Sequence, residues 1–181
     1  MSKNSIFKIT FSSIMIAMAM VLPFLTGQIP EIGAMLCPLH IPVIICGLIC
    51  GWKYGLVCGF VVPLLRSAIF GMPPMYPTAI SMCFELATYG FICGILFNIF
   101  KSKNVKLIVN VYITLIIAMI LGRLIWGAVR YIIAIFDGSN VFTFKMFISS
   151  VFVTSWPGII LQLILIPTFI CVLYKTKIIK K

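Results

Sequence analysis

Polar positions punctuate this chain instead of alternating along it. Between Ile9 and Trp52 the one charge is Glu31, and the apolar run breaks at Thr26-Gly27-Gln28-Ile29-Pro30. A helix needs about 20 mostly apolar residues to cross roughly 30 Å of hydrocarbon. The pattern therefore predicts helices over about 6–25 and 39–51, with Trp52-Lys53-Tyr54 as a tight turn. A third helix over 54–71 ends at Gly71-Met72-Pro73-Pro74, a strong breaker. A fourth over 78–100 ends at Lys101-Ser102-Lys103-Asn104, and a fifth over 105–136 ends at Asp137-Gly138-Ser139-Asn140. A sixth, over 141–174, is interrupted at Ser155-Trp156-Pro157-Gly158. The expected fold is all-α: one polytopic membrane domain over 1–181 with six transmembrane helices.

Composition agrees. Apolar residues make up 62% of the 181 and charged residues 9%, whereas a soluble domain carries roughly 45–50% and about 25%. Disorder is excluded by the same numbers. The net charge of +11, from 14 Lys and Arg against 3 acids, changes the picture only through its placement. No basic patch interleaves with exposed aromatics, as a nucleic-acid groove requires, so no nucleic-acid partner is expected. Lys3, Lys8, Lys53, Lys101, Lys103, Lys106, Lys175, Lys177, Lys180 and Lys181 all fall on one side of a six-span arrangement, and Glu31 and Asp137 on the other. Excess Lys and Arg mark the cytoplasmic side, which puts both termini inside. Lys3, Lys8 and Ala17-Met18-Ala19 have some features of a cleavable secretory signal, but Thr10, Ser12 and Ser13 break its apolar run. The first segment is read as a retained span.

The 7 cysteines form no C-x-x-C pair and are read as core thiols, although Cys46 and Cys50 share a helix face that a soft metal would suit. Gly47, Gly51, Gly55 and Gly59 recur every fourth residue, as do Gly90 and Gly94. Small residues at this spacing let helices approach closely in lipid, and the first set reads as a tight hairpin of helices 2 and 3. Ser13 and Ala17 give helix 1 a similar face, which a partner protein's helix could occupy.

Charges inside the spans carry more chemistry, since each costs about 2.5–3.5 kcal/mol at a span centre even on a lenient scale. By helical rise, Arg66 and Glu85 both lie roughly 10 Å below the outer surface and can meet. Two readings stay open: a structural Arg66–Glu85 pair, or a substrate site opening outward. Arg123 adds a cation about 27 Å from the inner end of helix 5, while Arg130 reads as a snorkelling interfacial residue. Helix 2, at roughly 20 Å, is too short to span. Its outer end leaves a recess with His40 and Pro42 at the mouth. Helices 2, 4 and 6 point their positive ends toward that recess, which suits an anionic group. Tyr76, Tyr89, Trp156 and Gln162 are candidates for a ring or amide group, or simply belt and core residues.

No P-loop, H-E-x-x-H or G-x-S-x-G motif occurs, and one His with 3 acids gives little to a hydrolase. The chain reads as a non-enzyme with no cofactor and no metal. A small binding bundle without a motor implies a partner that supplies one; a stand-alone carrier or channel is the other class to weigh.

The stretches Gly33-Ala34-Met35-Leu36-Cys37-Pro38-Leu39-His40-Ile41-Pro42-Val43, Pro63-Leu64-Leu65-Arg66 and Glu85-Leu86-Ala87-Thr88-Tyr89-Gly90 resemble the substrate-binding S components of energy-coupling factor transporters. Gly122-Arg123-Leu124-Ile125-Trp126-Gly127 and Trp156-Pro157-Gly158-Ile159-Ile160-Leu161-Gln162 extend the resemblance into the last third. It implies a six-helix bacterial plasma-membrane protein that binds a vitamin from outside, capped by the loop after helix 1. It also implies association with a transmembrane coupling subunit and two ATP-binding-cassette ATPases. An Ala-xxx-Ala face on helix 1 meets the coupling subunit in such proteins; here those positions are Ser13 and Ala17. His40, Arg66 and Arg123 favour a carboxylate, and the local motifs are most similar to pantothenate-type members. Glu85 would suit an amine, as in hydroxymethylpyrimidine; riboflavin and folate are further alternatives.

Overall fold

A computed structural model describes residues 3–26, 29, 35–137, 149 and 155–176. Six α-helices occur among them: α1 (Lys3–Val21), α2 (His40–Cys50), α3 (Trp52–Phe70), α4 (Ile80–Ser102), α5 (Leu107–Phe136) and α6 (Trp156–Lys175). A 3-10 turn, Leu22–Thr26, extends α1, and a π turn, Met75–Ala79, leads into α4. No strand occurs among the described residues. Five of the helical stretches are long and apolar enough to cross a membrane; α2 is not. The protein is an all-α polytopic membrane protein. Of the sixth expected span, 141–154 lies outside the described residues apart from Ser149.

The short helix is the centre of the molecule. At 11 residues α2 is about 16 Å long, and every residue except Ile49 is buried. A helix apolar on all faces is stable only when surrounded, and α1, α3, α4 and α6 all pack on it. Pro42 is accommodated because it sits in the first turn, where its missing N–H would have had no intrahelical partner. The outer helices turn apolar side chains away from the core: Ile108, Ile116, Ile120 and Leu124 of α5 and Ile164 of α6 are all exposed, as suits lipid contact.

The turn between α2 and α3 is tighter than the sequence pattern predicts. Gly51 alone makes it, at φ 93, and Trp52 already begins α3. Only glycine adopts that backbone without strain. The glycine repeats are also more than a hairpin device. A methyl built on Gly90 of α4 would strike the backbone of Gly55, and methyls on Gly47 and Gly55 would strike Gly90. Gly94 fits against Gly51 and Trp52 in the same manner. The two glycine stripes interlock three helices at backbone contact.

These contacts define two ends. At one, the Lys8 ammonium lies 6.0 Å from the Tyr54 ring centroid and the Cys50 thiol donates to the Lys8 carbonyl (3.6 Å), beside Gly51 and Lys53. The amide of Asn110 near the start of α5 donates to the Phe97 carbonyl of α4 (3.0 Å) and joins those helices. The N-terminus of α2 is at the other end. There Gly158 of α6 presses on the backbone of Met35 and Leu36.

Candidate functional site

Helices α2, α4 and α5 each bring one ionisable side chain to a single buried point. Glu85 is 1% exposed and His40 2%. His40 occupies the first turn of α2 because the chain reverses sharply at Cys37, whose φ of 47 is rare for a non-glycine residue. The His40 backbone N–H donates to the Cys37 carbonyl (3.1 Å) and closes that turn.

The polar contacts of Glu85 converge on one carboxylate oxygen. Arg123 Nη1 donates to Glu85 Oε1 at 3.1 Å, the Tyr89 hydroxyl donates to it at 2.9 Å, and His40 Nε2 lies 3.4 Å away. Tyr89 is one helical turn beyond Glu85 on the same face of α4. Its ring is pinned between the imidazole, 5.2 Å off by centroids, and Gly122 of α5, which has no side chain to push it away. The second arm of the guanidinium, Arg123 Nη2, donates to Cys37 Sγ at 3.6 Å. Burial pushes the Cys37 thiol up despite the nearby guanidinium. Glu85 and Arg123 thus form the ion pair at the centre of this cluster, wrapped by polar groups.

Two atoms at this end make no hydrogen bond: His40 Nδ1 and Gln162 Oε1. Both belong to residues only 2% exposed. An unmet buried polar group costs about 1–3 kcal/mol. Gln162 lies one turn beyond Gly158 on the same face of α6, and Gly158 abuts the segment that leads to Cys37 and His40.

The structure does not bring Arg66 to Glu85. Arg66 is buried on α3, donates to the Met20 carbonyl at the end of α1 (2.8 Å), and lies 5.6 Å and 5.2 Å from the ring centroids of Phe24 and Phe70. The cation paired with Glu85 is Arg123, which corrects the Arg66–Glu85 pairing read from depth alone. Tyr76 and Trp156 are about half exposed; the Tyr76 hydroxyl donates to Asp137 Oδ1 at 2.5 Å, linking the entry to α4 with the end of α5. Ser13 and Ala17 lie on the exposed face of α1.

Sequence reasoning missed Cys37, and with it Ser155, which is buried within hydrogen-bonding reach of that thiol. The signal was present in Leu36-Cys37-Pro38-Leu39-His40, where proline and histidine mark a turn into a helix. Among the described residues, no group of three or more His, Cys, Asp or Glu side chains has the arrangement to hold a metal. No disulfide joins any of the 7 cysteines, all of which are among the described residues.

A family model described as "ECF transporter, substrate-specific component" matches residues 7–170, which takes in every helix and the whole buried cluster. The chain belongs to this family. No curated protein and no solved structure matches it. As an ECF transporter substrate-specific component, it is a transport protein of the membrane. Intramembrane ionisable residues facing the bundle interior generally mark substrate pathways, and irregular backbone at that depth is tolerated when protein or a cavity covers it.

Proposed function

We propose that this protein captures a vitamin at the cell surface of a bacterium and passes it inward when an ATP-hydrolysing partner drives the step. The His40–Glu85–Tyr89–Arg123 cluster, together with Gln162 of α6, forms the floor of the binding site. The observation that carries this reading is the pair of unmet buried atoms, His40 Nδ1 and Gln162 Oε1, in a chain of a substrate-binding family. The Lys-bearing end faces the cytoplasm, in keeping with the positive-inside rule, so the cluster lies toward the outer surface with both termini inside. The motor is a transmembrane coupling subunit with two ATP-binding-cassette ATPases.

Pantothenate is the first vitamin to test, because the motifs of this chain are most similar to pantothenate-type members, and hydroxymethylpyrimidine is the second. The test is thermal shift and calorimetry on the purified chain in detergent. A ligand that binds the folded state raises its stability by RT ln(1 + [L]/Kd), so a tight vitamin raises the Tm. If no vitamin among these, riboflavin and folate does so, the vitamin-capture reading fails.

A further inference from the structure

We infer that the buried cluster takes an uncharged part of the substrate that carries N–H or O–H donors, and that a substrate carboxylate does not dock on Arg123. This deepens the vitamin-capture reading and rests on it. Three observations lead here. First, Arg123 is already engaged: Nη1 donates to Glu85 (3.1 Å) and Nη2 to Cys37 (3.6 Å). A ligand carboxylate at this guanidinium would lie beside the buried Glu85 carboxylate, which already neutralises the cation, and would meet a like charge there.

Second, the other intramembrane cation nearby in the sequence pattern is absent from the cluster. Arg66 is held by the Met20 carbonyl and two aromatic rings. The cations that would have drawn a carboxylate are therefore both committed within the protein.

Third, an unmet buried atom of α6 is an acceptor. Gln162 Oε1 is a carbonyl oxygen that makes no hydrogen bond; it would repel a carboxylate and would accept from an amide, amine or hydroxyl. Sites that hold buried hydrogen-bonding groups reject ligands lacking the complementary partner far more strongly than apolar pockets reject extra bulk. A hydroxyl- and amide-bearing end, or an aminopyrimidine, meets this requirement.

The experiment is calorimetry on the full chain in detergent with matched probes. Pantothenate is compared with pantothenol, in which the carboxylate is replaced by an alcohol, and hydroxymethylpyrimidine is compared with its analogue lacking the amino group. The same titrations are run on Gln162→Leu and His40→Gln, with Tm recorded to show that each variant is folded. The inference expects a neutral, donor-bearing probe to bind at least as tightly as the acid, and Gln162→Leu to weaken it about tenfold or more, the size of one lost buried hydrogen bond. The donor-deleted probe should lose little further on that variant. Binding of pantothenate alone, with pantothenol a hundredfold weaker or undetectable, overturns the inference and leaves vitamin capture standing. A neutral probe that binds Gln162→Leu and His40→Gln as tightly as the native chain also overturns it. Absence of binding by every probe and by riboflavin and folate overturns the vitamin-capture reading, and the inference falls with it.

Discussion

Arg123 Nη1 stands 3.1 Å from Glu85 Oε1, and this ion pair crosses from α5 to α4 inside the bundle. Both side chains are nearly out of contact with solvent, at 13% and 2% exposure. Taking two charges out of water is unfavourable unless the pairing and the surrounding hydrogen bonds are good. Here Tyr89 and His40 on one side and Cys37 on the other supply those bonds. The pair is therefore a joint between helices and also the frame that orients His40.

Breaking the pair from one side should be worse than removing it entirely. Arg123→Met leaves Glu85 buried without its cation and should lower stability by about 3–5 kcal/mol. Glu85→Gln alone strands the guanidinium in the same way. The double variant Glu85→Gln/Arg123→Met should recover a large part of the loss. A double-mutant cycle on thermal unfolding in detergent reads this directly, and strictly additive losses would show that the two residues do not act as a pair.

Arg66 has a different task. It satisfies a carbonyl at the C-terminal end of α1, where backbone acceptors lose their intrahelical partners, and its guanidinium lies against Phe24 and Phe70, which pack edge to face with centroids 5.1 Å apart. It ties α1 and the following turn to α3. Arg66→Met should lower stability by about 2 kcal/mol, the scale of a charged hydrogen bond, and leave the affinity for a bound vitamin within about threefold. A tenfold or greater loss of affinity at unchanged Tm would return Arg66 to the binding site.

How much of this was legible in the sequence depends on what one dimension can encode. Depth is encoded: the breakers at 71–74, 101–104 and 137–140 and the spacing of lysines gave helices and their order, and the shortness of α2 followed from the distance between Pro38 and Gly51. Azimuth is not. Arg66 and Arg123 sit at depths from which either can reach Glu85, and only the rotation of α3 about its axis separates them. That rotation is set by Gly55 and Gly59 pressing on Gly90 and Leu86, contacts between segments far apart in the chain. Tyr76 and Trp156 are amphipathic rings near a span end, yet that position is also where a side chain can remain exposed, as these do.

The glycine interlock gives a sharp contrast between two substitutions. Gly90→Ala sets a methyl against the backbone of Gly55, which cannot move without separating α3 from α4. Overpacking of this kind costs typically 1–3 kcal/mol and more where backbone is struck, so this variant should be strongly destabilised or fail to fold. Gly71→Ala meets no atom within 4 Å, and the penalty there comes only from its φ of +67, about 1–2 kcal/mol. Thermal unfolding of both in one detergent should rank them clearly; equal effects would mean that the helices are not in backbone contact at Gly90.

Helix α1 allows the proposed coupling to be tested apart from binding. Ser13 and Ala17 lie four residues apart on its exposed face, and the Ser13 hydroxyl is turned back onto the Ile9 carbonyl (3.0 Å), so the two form a low strip between the larger exposed side chains of Ile9, Ile14, Met18 and Val21. Met15 and Ala19, on the opposite side, are buried against the bundle. If the exposed strip receives a helix of the coupling subunit, bulk there should block assembly without touching the fold or the buried cluster. Ser13→Leu and Ala17→Leu should leave Tm nearly unchanged, since exposed substitutions usually shift stability by no more than about 0.5 kcal/mol. Vitamin affinity of the isolated chain should also be unaffected. Co-purification with the coupling subunit and its ATPases should be lost, and with it vitamin uptake into cells. Undiminished co-purification of the double variant would move the coupling surface to another face of the bundle, and the exposed side of α5 would be the next to test.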